Sequence, residues 1–441
     1  MTGWLATIGA AWAADVVVQD TVELEAALDT AEAGDVIHLG AGVWYLPKQI
    51  DAEVTLVGAG STATTVMTRG RIESFAPLTF EDLELDTTAS NLEAVLAHAF
   101  LTLRNVDVVL PKTAFDGISC LAGCLLEDVA FTGEGTQPGA VWAKGGPLTL
   151  RRVTLDGFAS VAPVIDLYGA GALTLEDVTL TGVDSVYQLV HRLASGPSSL
   201  VRVRAACTTT DKPAVRLVGA VTMEAVAIDT AAGVAIEVEG DLDLRHGTIR
   251  SAGDVTVETT GDLALWSSVI GRSVDVGGTL SGGYDLFEVP PVPAGLVGSL
   301  TGDAALEGGP CELPVPSDGS PVVDAGDPAE VDRDGSRSDI GATGGPEGFP
   351  LDGTGTTVPG GTTPGGAVDL DRDGYPAGED CDDADPGVHP GAEEDVGGAD
   401  RDCDGWTDPA GPFLPRCAVG DAREGLLWLL ALVAVRRRSV R

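Results

Sequence analysis

The feature that most constrains this chain is an internal repeat. Segments LTFEDLELD from Leu78, LTLRNVDVV from Leu101, CLLEDVAFTG from Cys124, LTLRRVTLDG from Leu148 and LTLEDVTLTG from Leu173 share an LxLxxV pattern. Fainter copies begin at Ser198, Val221, Leu242 and Leu263, and the copies are spaced 21 to 25 residues apart. A unit of that length, with one or two short strands, cannot bury its apolar face alone. Its neighbours must stack on it, which makes a solenoid. Composition agrees: 59 glycines, 26 prolines and only 5% aromatic residues point to many tight turns and small side chains rather than large helices. An apolar fraction of 44% over 441 residues is enough for a long core.

Leucine-rich repeats share this period, but their asparagine position and helical half are missing here. β-Branched Val and Thr prevail on both sides of the short turns instead. The expected fold is therefore all-β, a right-handed parallel β-helix of about ten coils. Ahead of the repeats, Asp20 can cap a short helix with Glu23 three residues on, its apolar stripe formed by Leu24, Ala27, Leu28 and Ala31. Such a helix is expected to cap the open end of the stack. The stretch from Asp20 to Val66, with AGDVIHLGAGVWYL and VTLVGAGS, resembles the opening region of pectate-lyase-like β-helix proteins. SPVVDAGDPAEVDRDGSRSDIGATGG, residues 320–345, resembles the closing segment of bacterial surface β-helices.

Fold resemblance supplies no activity by itself. Polysaccharide lyases with this fold use bound calcium and a cationic base, and its hydrolases use paired acids. The repeat places Glu81-Asp82, Glu127-Asp128 and Glu176-Asp177 at equivalent positions, which reads best as a solvated turn, since charges recurring in every coil belong to an outer face. Arg151-Arg152, His191-Arg192 and Arg202 with Arg204 have no acid partner at a telling spacing in the sequence. The five histidines are scattered singly and read as packing or surface residues. Trp142, Tyr168, Tyr187, Trp266 and Tyr284 are the aromatics best able to line a sugar groove. Cys120 and Cys124, spaced CxxxC, do not complete a zinc site. A local disulfide and a bridge to Cys207 or Cys311 are equally consistent with the sequence.

The net charge is -41, from 67 acidic and 26 basic residues, which repels phosphate backbones and excludes nucleic acid as a natural partner. Residues 350–441 hold 18 acids against 8 bases. Residues 350–367 form a Gly/Thr/Pro linker, and residues 369–408 then carry twelve Asp and three Glu against two Arg. Counted from Asp369, acids fall at positions 1, 3, 5 and 12 (Asp369, Asp371, Asp373, Asp380) with Gly374 at position 6, the spacing of a calcium loop. Asp400, Asp402, Asp404 and Asp408 repeat the first half of it, and Asp382 and Asp385 lie between the two clusters. Carboxylate oxygens without soft sulfur or paired imidazoles favour Ca²⁺ as the cofactor. No apolar helices flank the loops, so a conformational switch is not expected. Residues 380–408 resemble the metal-binding motif of MopE-type surface proteins, related in style to thrombospondin type 3 repeats. That resemblance implies a disulfide between Cys381 and Cys403 in place of a core, within a module spanning residues 368–410.

Both termini suggest export. WLATIGAAW is a short apolar run ending in Ala11-Trp12-Ala13, a small-x-small site that places a signal peptide at residues 1–13 and the β-helix at 14–349. No Lys or Arg precedes the run, and an ordinary buried N-terminal segment is the alternative. At the other end, the apolar run from Leu426 to Val435, expected as a short helix, is too short to span a bilayer and is followed by three arginines. Residues 417–441 resemble a MYXO-CTERM sorting tail, which implies Cys417 as the modified residue, membrane association through the tail or a lipid on that cysteine, and an address at the outer membrane, the cell surface or beyond it. The expected role is a non-enzymatic surface protein on a calcium-binding stalk, structural or adhesive and contacting polysaccharide or matrix. The competing expectation is a polysaccharide lyase or glycoside hydrolase.

Overall fold

A computed structural model describes residues 13–350, apart from 69, 90–93, 111–116, 134–135, 138, 158, 309–311 and 318. These residues form an all-β parallel solenoid of the right-handed type with about ten coils. In the clear repeats a nine-residue strand pairs in parallel with the strand one coil on, as Leu78–Asp86 does with Leu101–Val109 and Leu148–Asp156 with Leu173–Thr181.

The repeat pattern follows from one backbone feature. Along Leu78–Asp86, Leu78 and Phe80 face the core, the alternation then slips by one residue, and Leu83 and Leu85 face it again. The slip occurs at Asp82, whose φ is 55°, and the equivalent residues Asn105, Asp128, Arg152 and Asp177 have φ of 50°, 55°, 52° and 54°. A left-handed residue turns the strand through a corner, so both halves can point apolar side chains inward. LxLxxV is thus two inward-facing half-strands around a corner. Asn and Asp suit that position because their short polar side chains tolerate left-handed backbone. In later coils Arg202, Ala225, His246, Ser267 and Tyr284 occupy the corner, with φ between 48° and 59°.

An 11-stranded parallel sheet forms a further face of the solenoid, running in chain order from Gln49–Ile50 to Ser273–Val276. The core is a continuous stack of Leu, Val and Ile, with Phe80, Phe131 and Phe287 fully buried in it. The helix Thr21–Thr30 follows the first strand. Asp20 accepts the backbone N–H groups of Val22 and Glu23 at 2.9 Å, while Glu23 Oε2 accepts that of Gln19. Leu24 is fully buried, and Ala27, Leu28 and Ala31 pack against the core, as the stripe predicts.

One buried cation holds a turn. Arg192 is 0% exposed and has no carboxylate partner among the described residues. Its guanidinium donates instead to the carbonyls of Ala194, Pro197 and Gly171 at 2.6 to 2.7 Å and to Ser198 Oγ at 3.0 Å. Burial pulls its pKa below the ordinary arginine value. A planar fork of five donors can satisfy several carbonyls at once, which explains an arginine where the pattern expects none.

The closing segment folds back along the corner. Gly341 N–H donates to Ser267 O at 2.7 Å, Ala342 N–H to Thr248 Oγ1 at 2.9 Å, and Asp327 N–H to Ser267 Oγ at 3.0 Å. His246 Nε2 meets Glu330 Oε2 at 2.8 Å, and Arg202 pairs with Glu347. Gly345 has φ of 75°, and a Cβ there would lie 2.4 Å from His246 Nε2, so both conformation and space require glycine. Cys120 is bridged to Cys124, and Cys207 is disulfide-bonded as well.

Candidate functional site

Two sets of polar residues could carry a function, and stacking accounts for both. The first lines the corner. Glu81, Arg104, Glu127, Arg151 and Glu176 are register partners in five successive coils, so the column alternates in sign. Arg104 lies 3.7 Å from Glu127 and Arg151 3.3 Å from Glu176. Beside that column, Arg152 forks onto Asp128 at 2.5 and 2.7 Å, and Arg202 onto Asp177 at 2.5 and 2.9 Å. The Asp128 and Asp177 carboxylates raise the pKa of these two guanidinium groups above the ordinary arginine value. The acids recurring in the repeat do lie on the corner face, where Glu127, Asp128, Glu176 and Asp177 form ion pairs with arginines and Asp82 accepts a hydrogen bond from the Asn105 amide. Each partner is one coil away, a separation of 23 to 25 residues that inspection of neighbouring sequence overlooks.

The second set lies on the outward positions of the 11-stranded sheet. Ser119, Trp142, Asp166, His191, Arg216 and Glu237 are successive register partners there. His191 Nδ1 lies 2.7 Å from Asp166 Oδ1, with both side chains about one-tenth exposed. In a neutral ring with the carboxylate accepting, Nδ1 carries the hydrogen and Nε2 holds the lone pair, the arrangement that orients an imidazole as a base. Arg216 Nε donates to Glu237 Oε1 at 2.9 Å. Ser119 Oγ is buried with no partner among the described residues.

Aromatic rings surround the Asp166–His191 pair. Tyr168 meets the His191 ring edge-on with centroids 6.5 Å apart, and Trp142 lies 6.1 Å from Tyr168. Tyr168 and Tyr187 are each nearly half exposed, as are Val186 and Leu193. Strand register brings Lys144 beside Tyr168 at one margin of the sheet, and Lys212 one coil on from Tyr187 at the other. Both lysines are exposed and form no ion pair among the described residues. Of the aromatics singled out in the sequence, Trp142 and Tyr168 converge with Tyr187 nearby in the chain. Trp266 and Tyr284 instead occupy the corner region several coils on. The sequence reading left His191 as a single histidine and did not single out Asp166; the signal was an acid and a histidine one coil apart on equivalent strands.

The calcium candidates Asp369, Asp371, Asp373, Asp380, Asp382, Asp385, Asp400, Asp402, Asp404 and Asp408, the cysteines Cys381 and Cys403, and Cys417 all lie outside the described residues. Among the described residues no group of three or more acidic, histidine or cysteine side chains is arranged to hold a metal, and no helix is long and apolar enough to cross a membrane. Comparison with known proteins finds no matching family model and no matching curated protein.

Proposed function

We propose that this is a non-enzymatic, exported surface protein whose β-helix presents a carbohydrate-contacting face on a calcium-stiffened stalk, with the helix Thr21–Thr30 closing the open end of the stack. The observation that carries the reading is the outward face around Trp142, Tyr168 and Tyr187. Exposed aromatic rings beside buried polar groups suit the mixed apolar and hydroxyl surfaces of sugars. Lys144 and Lys212, exposed and without an ion-pair partner among the described residues, add two cationic contacts at the margins of that face. The corner arginines Arg104, Arg151, Arg152 and Arg202 are matched by acids one coil away, as a scaffold requires.

The stalk follows from the carboxylates of residues 369–408, whose oxygens fit a hard cation such as Ca²⁺. An anchoring tail at Cys417 would place the helix at the outer membrane or the cell surface.

The Asp166–His191 pair supports a second reading, a polysaccharide lyase or glycoside hydrolase in which His191 acts as the base. Incubating the full chain with a panel of uronic-acid polymers separates the two. Retention of the polymers without cleavage is the expected result. Unsaturated products that vanish in His191→Ala would establish the enzyme instead.

A further inference from the structure

The first strand meets a carboxylate at its start. Ala14 N–H donates to Asp35 Oδ1 at 2.7 Å, and Ala14 O accepts the N–H of Val36 at 2.8 Å. Asp35 is only 7% exposed, although Ala13 and Ala14 are exposed. Its second oxygen accepts the N–H of Glu32 at 2.9 Å, so the carboxylate is held in place from its own loop. These two amide bonds to an ionised acceptor already hold the carboxylate in place, and an ammonium group at the Ala14 nitrogen would add an opposite formal charge at the same contact. Ala14 is also the residue that follows the small-x-small site Ala11-Trp12-Ala13.

We infer that the Ala13–Ala14 peptide bond is the processing site and that Asp35 is the receptor for the new N-terminus. Hydrolysis by an endopeptidase adds water across that bond. Ala13 leaves with a carboxylate, and the Ala14 nitrogen takes up the proton to become an ammonium group. The contact at 2.7 Å then becomes an ion pair on a carboxylate that is already oriented. The first strand, Asp15–Val18, pairs directly with Asp35–Leu39, so the pair pins the end of the first coil. Processing thus completes the fold at its N-terminal end. The inference rests on the export reading but goes beyond it, since it assigns the residue that holds the product of the cut.

The test is made on the full chain, expressed with its leader in an exporting host. Mass analysis of the exported protein is expected to show a chain beginning at Ala14. Export with a start at any other residue overturns the inference and leaves export standing, whereas protein retained unprocessed overturns both. On the processed chain, the pKa of the Ala14 amine is expected to lie about one unit above an ordinary α-amine. Asp35→Asn should abolish that rise. Equal amine pKa values in the two proteins would remove Asp35 from the receptor role even if the cut is where we place it. A chain beginning at Ala13, which displaces the charge by one residue, should open its first strand more readily and serves as the control if Asp35→Asn does not fold.

Discussion

Replacing Asp285 by Asn should make the C-terminal coils more stable as pH rises. The Asp285 side chain is 0% exposed, and burial pushes its pKa from 3.8 up to about 8, against the opposing effect of Ser268 N–H at 3.0 Å and Ser299 Oγ at 3.1 Å. The folded protein therefore holds a proton that the unfolded chain releases above its own pKa. Stability from this group is fully present below 3.8 and is lost as pH rises through about 8. Each pH unit within that window costs up to about 1.4 kcal/mol, so the whole span comes to about 6 kcal/mol. Asn has the same shape, stays neutral, and can keep the Ser268 bond. The amides of Ser268 and Leu300 bond to Asp285 and report its coil directly. Comparing wild type and Asp285→Asn by hydrogen exchange at equal pH cancels the intrinsic rates. The two should match near pH 4, and the variant's protection should then grow by up to about tenfold per pH unit until about pH 8. A difference that does not change with pH would refute the reasoning.

Arg192→Ala should cost about 3 kcal/mol or more, because the carbonyls of Gly171, Ala194 and Pro197 lose their donor in a buried turn. Urea unfolding checks this, and a loss below about 1 kcal/mol would show that water replaces the guanidinium. Gly345→Ala should detach the closing segment from the corner, since its Cβ would meet His246. Limited proteolysis is then expected to cut residues 320–349 while sparing the coils before them. Removing calcium with a chelator should expose residues 369–408 to proteolysis and leave the circular dichroism of the β-helix unchanged. Unaltered cleavage would remove the metal from the stalk.

Most of the solenoid was legible because its cause is local and repeated. The spacing of Leu78, Phe80, Leu83 and Leu85 encodes two inward faces and the corner between them, and the period says what each coil stacks on. The pairings were less legible. Arg152 meets Asp128, and His191 meets Asp166, because each pair stands at equivalent positions one coil apart, and loops that differ in length by a residue or two hide that register until the strands are aligned. Arg192 was opaque for a different reason. Its partners are backbone carbonyls, which leave no mark on side-chain patterns. The docking of residues 320–349 on the corner likewise depends on backbone N–H groups of Gly341 and Ala342.

The alternating column Glu81, Arg104, Glu127, Arg151 and Glu176 gives the solenoid a parity. Losing one coil, by deleting the unit that begins at Leu101, would bring Glu81 against Glu127 and set like charges side by side. Losing two would bring Glu81 against Arg151 and restore attraction. In this part of the chain, gain or loss of repeats is therefore easier in pairs than singly. The same rule disfavours a folding chain that skips a coil and stacks its strands one unit out of step.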